Sequence, residues 1–458
     1  MDNTLNRSVS SLAVAVRTGR VSSEELVGLH INRINQLNPD LNAVVQITGE
    51  AAFARAREAD RALAEGNITG PLHGIPMTIK DSFDTAGVIS AGGTLGRKDF
   101  IPAGNATVVS RLQKAGAILM GKTNTSEFTL SYDTDNLVYG RTRNPFDRSR
   151  SPGGSSGGGA AVVAAGGSPF DIGSDYGGSL RFPAHCCGTA TIKPTSGRVP
   201  RTGHILPFGG LLDSFQQIGP LARKVEDLTL LLGIISGPDG IDPSIVPMPP
   251  VVPGAVDIKD LRISFHTDNG IIAAAHDIDQ VVRKAAAILE ADGFLVKETR
   301  PQGIEASHDL AMGLWSSDGG ASIKRLLKTA GTVKHTIPWL GLAKALAPGD
   351  LDALIMKWYG FRSTMLSFFN EFDLILCPVN AFEAPETGSL GKDDLSAFSY
   401  TSAFNLTGWP AVVIRGGTTS EGLPLGLQIV APPWREDMAL AMAEHLETAF
   451  GKFNAPGC

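Results

Sequence analysis

Apolar residues recur at helical spacing after Ser22-Ser23-Glu24-Glu25, at Leu26, Leu29, Ile34 and Leu37, until Asn38-Pro39 interrupts them. A serine followed three residues later by glutamate closes a first helical turn, so this segment predicts a capped amphipathic helix that stops at Asn38-Pro39. An Ala/Arg/Glu-rich stretch over 51–64 predicts a second helix. Ile75, Met77 and Ile79 then alternate with polar positions, the pattern of a half-buried strand with Lys80 at its end. Helical patterns at 107–115, 225–235 and 437–450 interleave with strand patterns at 118–121, 262–265, 374–377, 411–414 and 426–430. Such interleaving predicts an α/β fold, a sheet sandwiched between helix layers.

No linker, charge block, repeat or low-complexity tract divides the chain, so residues 1–458 are expected to form a single domain despite their number. Residues 300–370 are helical in pattern and hold Trp315, Trp339 and Trp358, three of the five tryptophans. These rings either wall a pocket or fill the core.

Composition narrows the function. With 43% hydrophobic and 19% charged residues the chain has ample material for a large core. A net charge of −6, with no basic cluster interleaved with aromatics, argues against nucleic acid as a partner. The first twenty residues lack the basic and apolar regions of a secretory signal, and no run approaches the length of a membrane span. A cytoplasmic protein with no membrane association is expected. Cys186, Cys187, Cys377 and Cys458 are read as reduced thiols, since adjacent cysteines bridge poorly, and their spacing matches no zinc site. No metal or cofactor is expected.

The chemistry concentrates between Ser151 and Arg181. Ser-Pro-Gly-Gly-Ser155-Ser-Gly-Gly-Gly is followed by a small-residue helix and then by Gly173-Ser-Asp-Tyr-Gly-Gly-Ser179-Leu-Arg181. Glycine serves where the backbone takes positive φ or closely approaches a ligand, and Gly177-Gly178 before Ser179 can aim successive N–H groups at one point, as an oxyanion hole requires. One glycine-rich turn alone would be an ordinary flexible loop. A phosphate loop is disfavoured because no Lys-Ser/Thr pair follows Gly153–Gly159.

These runs, with Lys193-Pro-Thr-Ser-Gly-Arg198, resemble the amidase signature family. The resemblance extends to Gly74-Ile-Pro-Met-Thr-Ile-Lys-Asp81, Gly121-Lys-Thr-Asn-Thr-Ser-Glu-Phe128, Asn144-Pro145, Phe404-Asn-Leu-Thr-Gly-Trp-Pro-Ala411 and Gly422-Leu-Pro-Leu-Gly-Leu-Gln-Ile429, and is weakest over 240–370. It implies a three-layer α/β/α fold with a central mixed sheet and a Ser-Ser-Lys triad. Carried over by motif, the triad consists of Ser179 as nucleophile, Ser155 as proton bridge and Lys80 as neutral base, with a cis Gly154–Ser155 peptide. Backbone N–H groups of Tyr176, Gly177, Gly178 and Ser179 would hold the oxyanion, each such donor being worth about 2.7–4 kcal/mol of barrier. Asp175 and Arg181 are expected to pair and shape the loop. A lysine acting as base must fall from about 10.4 to near neutrality, a shift that burial supplies.

The implied reaction is acyl transfer from a small-molecule amide, anilide or carbamate, by a monomer or homodimer. Tyr176 and the loop Arg198-Val-Pro-Arg-Thr-Gly-His204 look similar to carbamate-cleaving, urethanase-like members, and aryl acylamidase activity is the companion expectation. Tyr176 departs from the small or aliphatic residue common at its place in the family.

Three readings compete. Gly153-x-Ser155-x-Gly157 fits the nucleophile elbow of an α/β-hydrolase esterase, which requires a strand immediately before Ser155, whereas Asp147–Pro152 is turn-like. His185-Cys186-Cys187 raises a thiol mechanism, opposed by the divergence of sequence neighbours. The third is an amidotransferase subunit that works on aminoacyl-tRNA. That branch typically has glutamine after the motif arginine, where this chain has Phe182.

Overall fold

The computed structural model describes residues 3–251, 254, 256–337, 339–341, 343–390, 392–451 and 455–457. Among these residues, eleven strands form two sheets. β1 (Val44–Ile47), β3 (Ile118–Thr123) and β2 (Pro76–Lys80) make a three-stranded sheet in the order β1-β3-β2. The central sheet has eight strands: β4 (Phe170–Asp175), β5 (Ala190–Lys193), β6 (Gln217–Ala222), β7 (Arg262–Phe265), β8 (Leu295–Glu298), β9 (Leu374–Pro378), β10 (Ala411–Thr418) and β11 (Pro424–Val430). Their order is β4-β6-β5-β10-β11-β9-β7-β8. Pairing is antiparallel from β4 to β9 and parallel from β9 to β8, so the sheet is mixed, and helices flank it. This is the expected α/β class.

β2 lies beside the edge strand β4, where Thr78 donates to Asp171 Oδ2 at 2.8 Å. All five residues of β2 are buried, not the alternate ones that the pattern predicted. The polar face, Thr78 and Lys80, turns toward Asp171 and the serines of the glycine turns instead of toward water. β4 escapes the pattern altogether, because its Asp171, Gly173, Ser174 and Asp175 read as turn residues although all six of its positions are buried.

The first long helix, Ser23–Leu41, starts as predicted, with the Ser22 side chain accepting from Glu25 N at 3.0 Å. It runs past Asn38-Pro39, contrary to the expected stop. Leu41 continues the buried face of Leu37, and Asn42 at φ 50° ends the helix in the left-handed region. The Asn38 side chain stabilises this exit by accepting from Ala43 N and Val44 N, both at 2.9 Å. Two large apolar clusters fill the layers. One joins Val9, Met77, Phe170, Leu228, Val412 and Leu446, and the other joins the Ser23–Leu41 helix to the small-residue helix Gly157–Ala164.

Cys186, Cys187 and Cys377 are buried free thiols, while Cys458 lies outside the described residues. Among the described residues, no helix is long and apolar enough to cross a membrane. The N-cap contact supplies a test of local stability: Ser22→Ala should lower the unfolding free energy by about 1 kcal/mol, read from the denaturant midpoint at unchanged slope.

Candidate active site

β2 delivers Lys80 into the interior, and the turn before the Gly157–Ala164 helix brings two serines to it. Lys80 Nζ lies 2.7 Å from Ser155 Oγ, 2.9 Å from Ser156 Oγ and 3.0 Å from Ser174 Oγ. The amine is wholly buried, and that burial lowers its pKa to about 7 against the opposing pull of Asp171 and Asp175. Asp171 is itself pushed up to about 7 by burial, despite hydrogen bonds from Thr78 and Thr123 and the nearby Lys80. The Gly154–Ser155 peptide is cis, as the resemblance implied. Ser156 N donates to Ser179 O at 3.2 Å, joining the two glycine turns.

The second turn leaves the end of β4 and enters the helix Arg181–Cys187. Asp175 and Arg181 are both fully buried and paired at 2.9 Å. Burial alone would raise the Asp175 carboxyl, but the Arg181 charge and hydrogen bonds from Arg181 and Asn405 outweigh it and hold the group well below the usual carboxylate range. Arg181 also reaches Thr401 O at 2.9 Å and Gln428 Oε1 at 2.8 Å.

This frame orients the peptides before Ser179 one by one. The Gly177 carbonyl accepts from Tyr132 OH at 3.1 Å and from Thr401 Oγ1 at 2.7 Å. The Gly178 carbonyl accepts from Phe182 N at 2.7 Å. Gly178 N donates to Asp175 Oδ1 at 2.8 Å, and this corrects the expectation of a fourth oxyanion donor: the Gly178 N–H is turned inward to satisfy the buried carboxylate. Among the described residues, the N–H groups of Tyr176, Gly177 and Ser179 have no acceptor. Gly178 adopts φ +131°, and a β-carbon there would stand 2.5 Å from Thr401 Oγ1, so glycine is required.

Ser179 lines a cavity of about 260 Å³ with Tyr132, Tyr176, Trp315, Trp339 and Phe398. Tyr132 stacks on Phe398 with ring centroids 3.5 Å apart, and Tyr176 leans on Trp315 at 5.0 Å. The predicted helical segment therefore divides. Trp315 and Trp339 face the cavity, whereas Trp358 packs on Phe215 in the core and donates to Leu406 O at 2.8 Å.

The competing serine and thiol readings lack their geometry. Residues 141–156 contain no strand, only a single bridge at Arg150, so no elbow presents Ser155. His185 Nδ1 accepts from Gly426 N at 3.0 Å, with Nε2 3.1 Å from Phe382 O, and burial pushes both the Cys186 and Cys187 thiols up. The arginines of the loop 198–204 are engaged, Arg198 with Glu436 at 2.7 Å and Arg201 with Asp213 and Asp242.

Sequence reasoning misses Ser156, Ser174, Asp171, Tyr132 and Thr401, and it assigns no task to Asn405 or Gln428 although both lie inside the matched motifs. His204 has no triad context in the sequence. Pairing tendencies between distant positions would be needed to find these contacts, since Arg181 and Gln428 are 247 residues apart.

Lys80 thus sits buried among the hydroxyls of Ser155, Ser156 and Ser174 at the edge of a mixed α/β sheet, with Ser179 on the adjoining glycine turn. The sequence profile of the family described as Amidase matches residues 25–440, and the chain belongs to that family. It is a hydrolase of amide carbon–nitrogen bonds. It is 35% identical to an indoleacetamide hydrolase of Bradyrhizobium diazoefficiens, over 96% of this chain and 86% of that one. A glutamyl-tRNA(Gln) amidotransferase subunit of Chloroflexus aggregans is 36% identical, over 95% of each chain. An acylamidase of Rhodococcus erythropolis is 34% identical over 96% of this chain and 94% of its own. Among solved structures, 6-aminohexanoate cyclic dimer hydrolase with its substrate superposes with a TM-score of 0.89 at 29% identity, over 99% of both chains.

The pair at the base of the loop is open to a direct test. Arg181→Met should destabilise the protein by about 3–5 kcal/mol, because it strands the buried Asp175 charge. Arg181→Met combined with Asp175→Asn should recover part of that loss in the same melting experiment.

Proposed function

We propose that the protein hydrolyses aryl amides and aryl carbamates, by an acyl-enzyme on Ser179. The observation that carries the substrate class is the aromatic cavity, in which Tyr132, Tyr176, Trp315, Trp339 and Phe398 surround the approach to Ser179 and leave an opening suited to a flat apolar group. The name of the indoleacetamide hydrolase relative, an enzyme of an aromatic amide, agrees with this, as does that of the acylamidase.

In this reading Ser179 Oγ attacks the scissile carbonyl carbon, and its proton passes through Ser155 to neutral Lys80. The N–H groups of Tyr176, Gly177 and Ser179 hold the resulting oxyanion. Collapse breaks the C–N bond and the amine leaves with the proton returned from Lys80 through Ser155. Water then attacks the Ser179 ester, with the same base accepting its proton. A carbamate follows the same path to a carbonic-acid ester on Ser179. The carbon-centred chemistry is identical, so amides and carbamates differ only in what flanks the carbonyl. No cofactor enters this scheme.

Acetanilides, aryl carbamates, aliphatic primary amides and glutaminyl donors, assayed side by side, test the substrate class. Aryl substrates should have the highest kcat/KM, and Trp315→Ala should raise their KM by about tenfold while altering kcat little. A preference for glutaminyl donors would favour the amidotransferase reading instead. Ser179→Ala should lower kcat by at least about 10³-fold, and a sulfonyl fluoride should label the Ser179 peptide in the intact enzyme. The active amine is the neutral form, whose fraction grows as pH rises through about 7, so kcat/KM should climb up to that pH and level off above it. A profile flat down to pH 5 would sink the neutral-lysine base.

A further inference from the structure

We propose that His204 is a positioning residue that acts through Ser174 to hold the Lys80 amine in the hydrogen-bond arrangement of its neutral form. The proposal rests on the reading of Lys80 as the base.

His204 follows β5 in a loop bound to the end of β2, where Phe83 and His204 form a backbone bridge and Ile205 N donates to Ser82 O at 2.9 Å. Its ring meets Phe83 edge-to-face at 5.0 Å. Two donors converge on Nδ1: the Leu206 N–H at 3.3 Å and Gln216 Nε2 at 3.0 Å. A backbone amide can only donate, so Nδ1 accepts and the ring proton resides on Nε2. Nε2 lies 3.1 Å from Ser174 Oγ, which therefore receives a hydrogen bond from the histidine.

Ser174 Oγ has one other partner among the described residues, Lys80 Nζ at 3.0 Å, and the residue is only 2% exposed. Two arrangements of this cluster are available. If Lys80 is an ammonium, its three protons go to Ser155, Ser156 and Ser174. Ser174 is then the target of two donors and its own proton has no acceptor. If Lys80 is neutral, Ser174 donates that proton to the amine lone pair. The two remaining amine protons go to Ser155 and Ser156, and Ser156 passes its own to Ser174 O at 3.3 Å. Every polar group in the chain from His204 to Ser156 is then satisfied, and an unsatisfied buried donor is avoided.

The same logic bears on turnover. To take the proton of Ser179 by way of Ser155, the Lys80 amine turns its lone pair from Ser174 to Ser155, and the ammonium that results leaves the Ser174 proton without an acceptor. The proton is thereby held loosely and is returned readily to the departing amine. Other charges face the cluster from each side. Asp171 and Asp175 on β4 oppose the effect by favouring the ammonium, and the Lys122–Asp81 pair sits beside β2. Arg201, paired with Asp213 and Asp242, stands next to His204. Burial, then Lys80 and Arg201, keep His204 well below the ordinary histidine range, so its ring stays neutral across the working pH.

The test is the pH profile of kcat/KM between pH 5 and 9 on an aryl amide for the wild type, His204→Ala, Ser174→Ala and the double variant. Removing the ring opens space for water to accept the Ser174 proton. The acid limb should therefore move up by about half to one pH unit in His204→Ala, a loss of about 3- to 10-fold below the limb. In the Ser174→Ala background, His204→Ala should leave the limb in place, because the effect passes through Ser174. An unmoved limb in His204→Ala, or an equal shift in both backgrounds, would overturn the proposal. ¹⁵N NMR of the wild-type protein provides a second measurement that survives any folding defect: an Nε2–H tautomer for His204 is expected, and an Nδ1–H tautomer overturns it. Lys80→Ala and Ser179→Ala run alongside. If they keep near-normal turnover, the underlying reading of the site has failed; if they abolish it while the limb stays put, only the role of His204 has.

Discussion

The buried ion pair between Asp175 and Arg181 is the constraint on which the rest of the site depends. A carboxylate and a guanidinium removed from water are stable only if nearly all their hydrogen-bonding capacity is met, and here it is met by the adjoining turn together with distant parts of the chain. Asp175 collects the N–H groups of Gly178 and Leu180 and the amide of Asn405, while Arg181 engages Asn405, Thr401 and Gln428. The residues that satisfy the pair are those that shape the turn before Ser179. Because Gly178 is drawn inward, its neighbours Gly177 and Ser179 are left with free N–H groups. Electrostatic satisfaction of the interior and the shape of the turn before Ser179 are thus one arrangement.

Lys80 presents the opposite solution to the same problem. It is just as buried, yet its contacts are neutral hydroxyls, so burial is not compensated by a close counter-charge and its pKa falls to about 7. Asp171, raised to about 7 a short way along β4, is a weak counter-ion for the same reason. At one sheet edge, then, Arg181 is paired with a hydrogen-bonded carboxylate, whereas Lys80 has no such close partner and burial brings it toward neutrality. The contrast separates structural charge from chemical potential in adjacent layers of the protein.

The cavity side is built by a different principle. Tyr132 and Phe398 stack in near-parallel contact, Trp315 and Trp339 line the same cavity, and Thr94 and Thr336 bind the two oxygens of buried Glu127, which ties the segment before Trp339 to the body of the protein. The polar machinery is fixed by hydrogen bonds to backbone, and the apolar wall is fixed by ring packing.

Much of this was legible in the sequence by itself. The alternation of helical and strand periodicities determined the α/β class, and the two glycine-rich turns with Lys80, Ser155, Ser179, Asp175 and Arg181 singled out the segments that the fold brings together, because those short-range patterns are dictated by backbone φ and by residue type. The sequence was least informative where burial and polarity coincide. β4 looks like a turn since its serine and aspartates face an interior that is itself polar, and β2 looks amphipathic although both its faces are covered. Only the tertiary structure decided that the Gly178 N–H goes to Asp175, that Trp358 belongs to the core while Trp315 lines the cavity, and that Ser174 and His204 stand behind Lys80. Each of these depends on which partner a hydrogen-bond donor or a ring meets once the chain has folded, and local pattern carries no record of that choice.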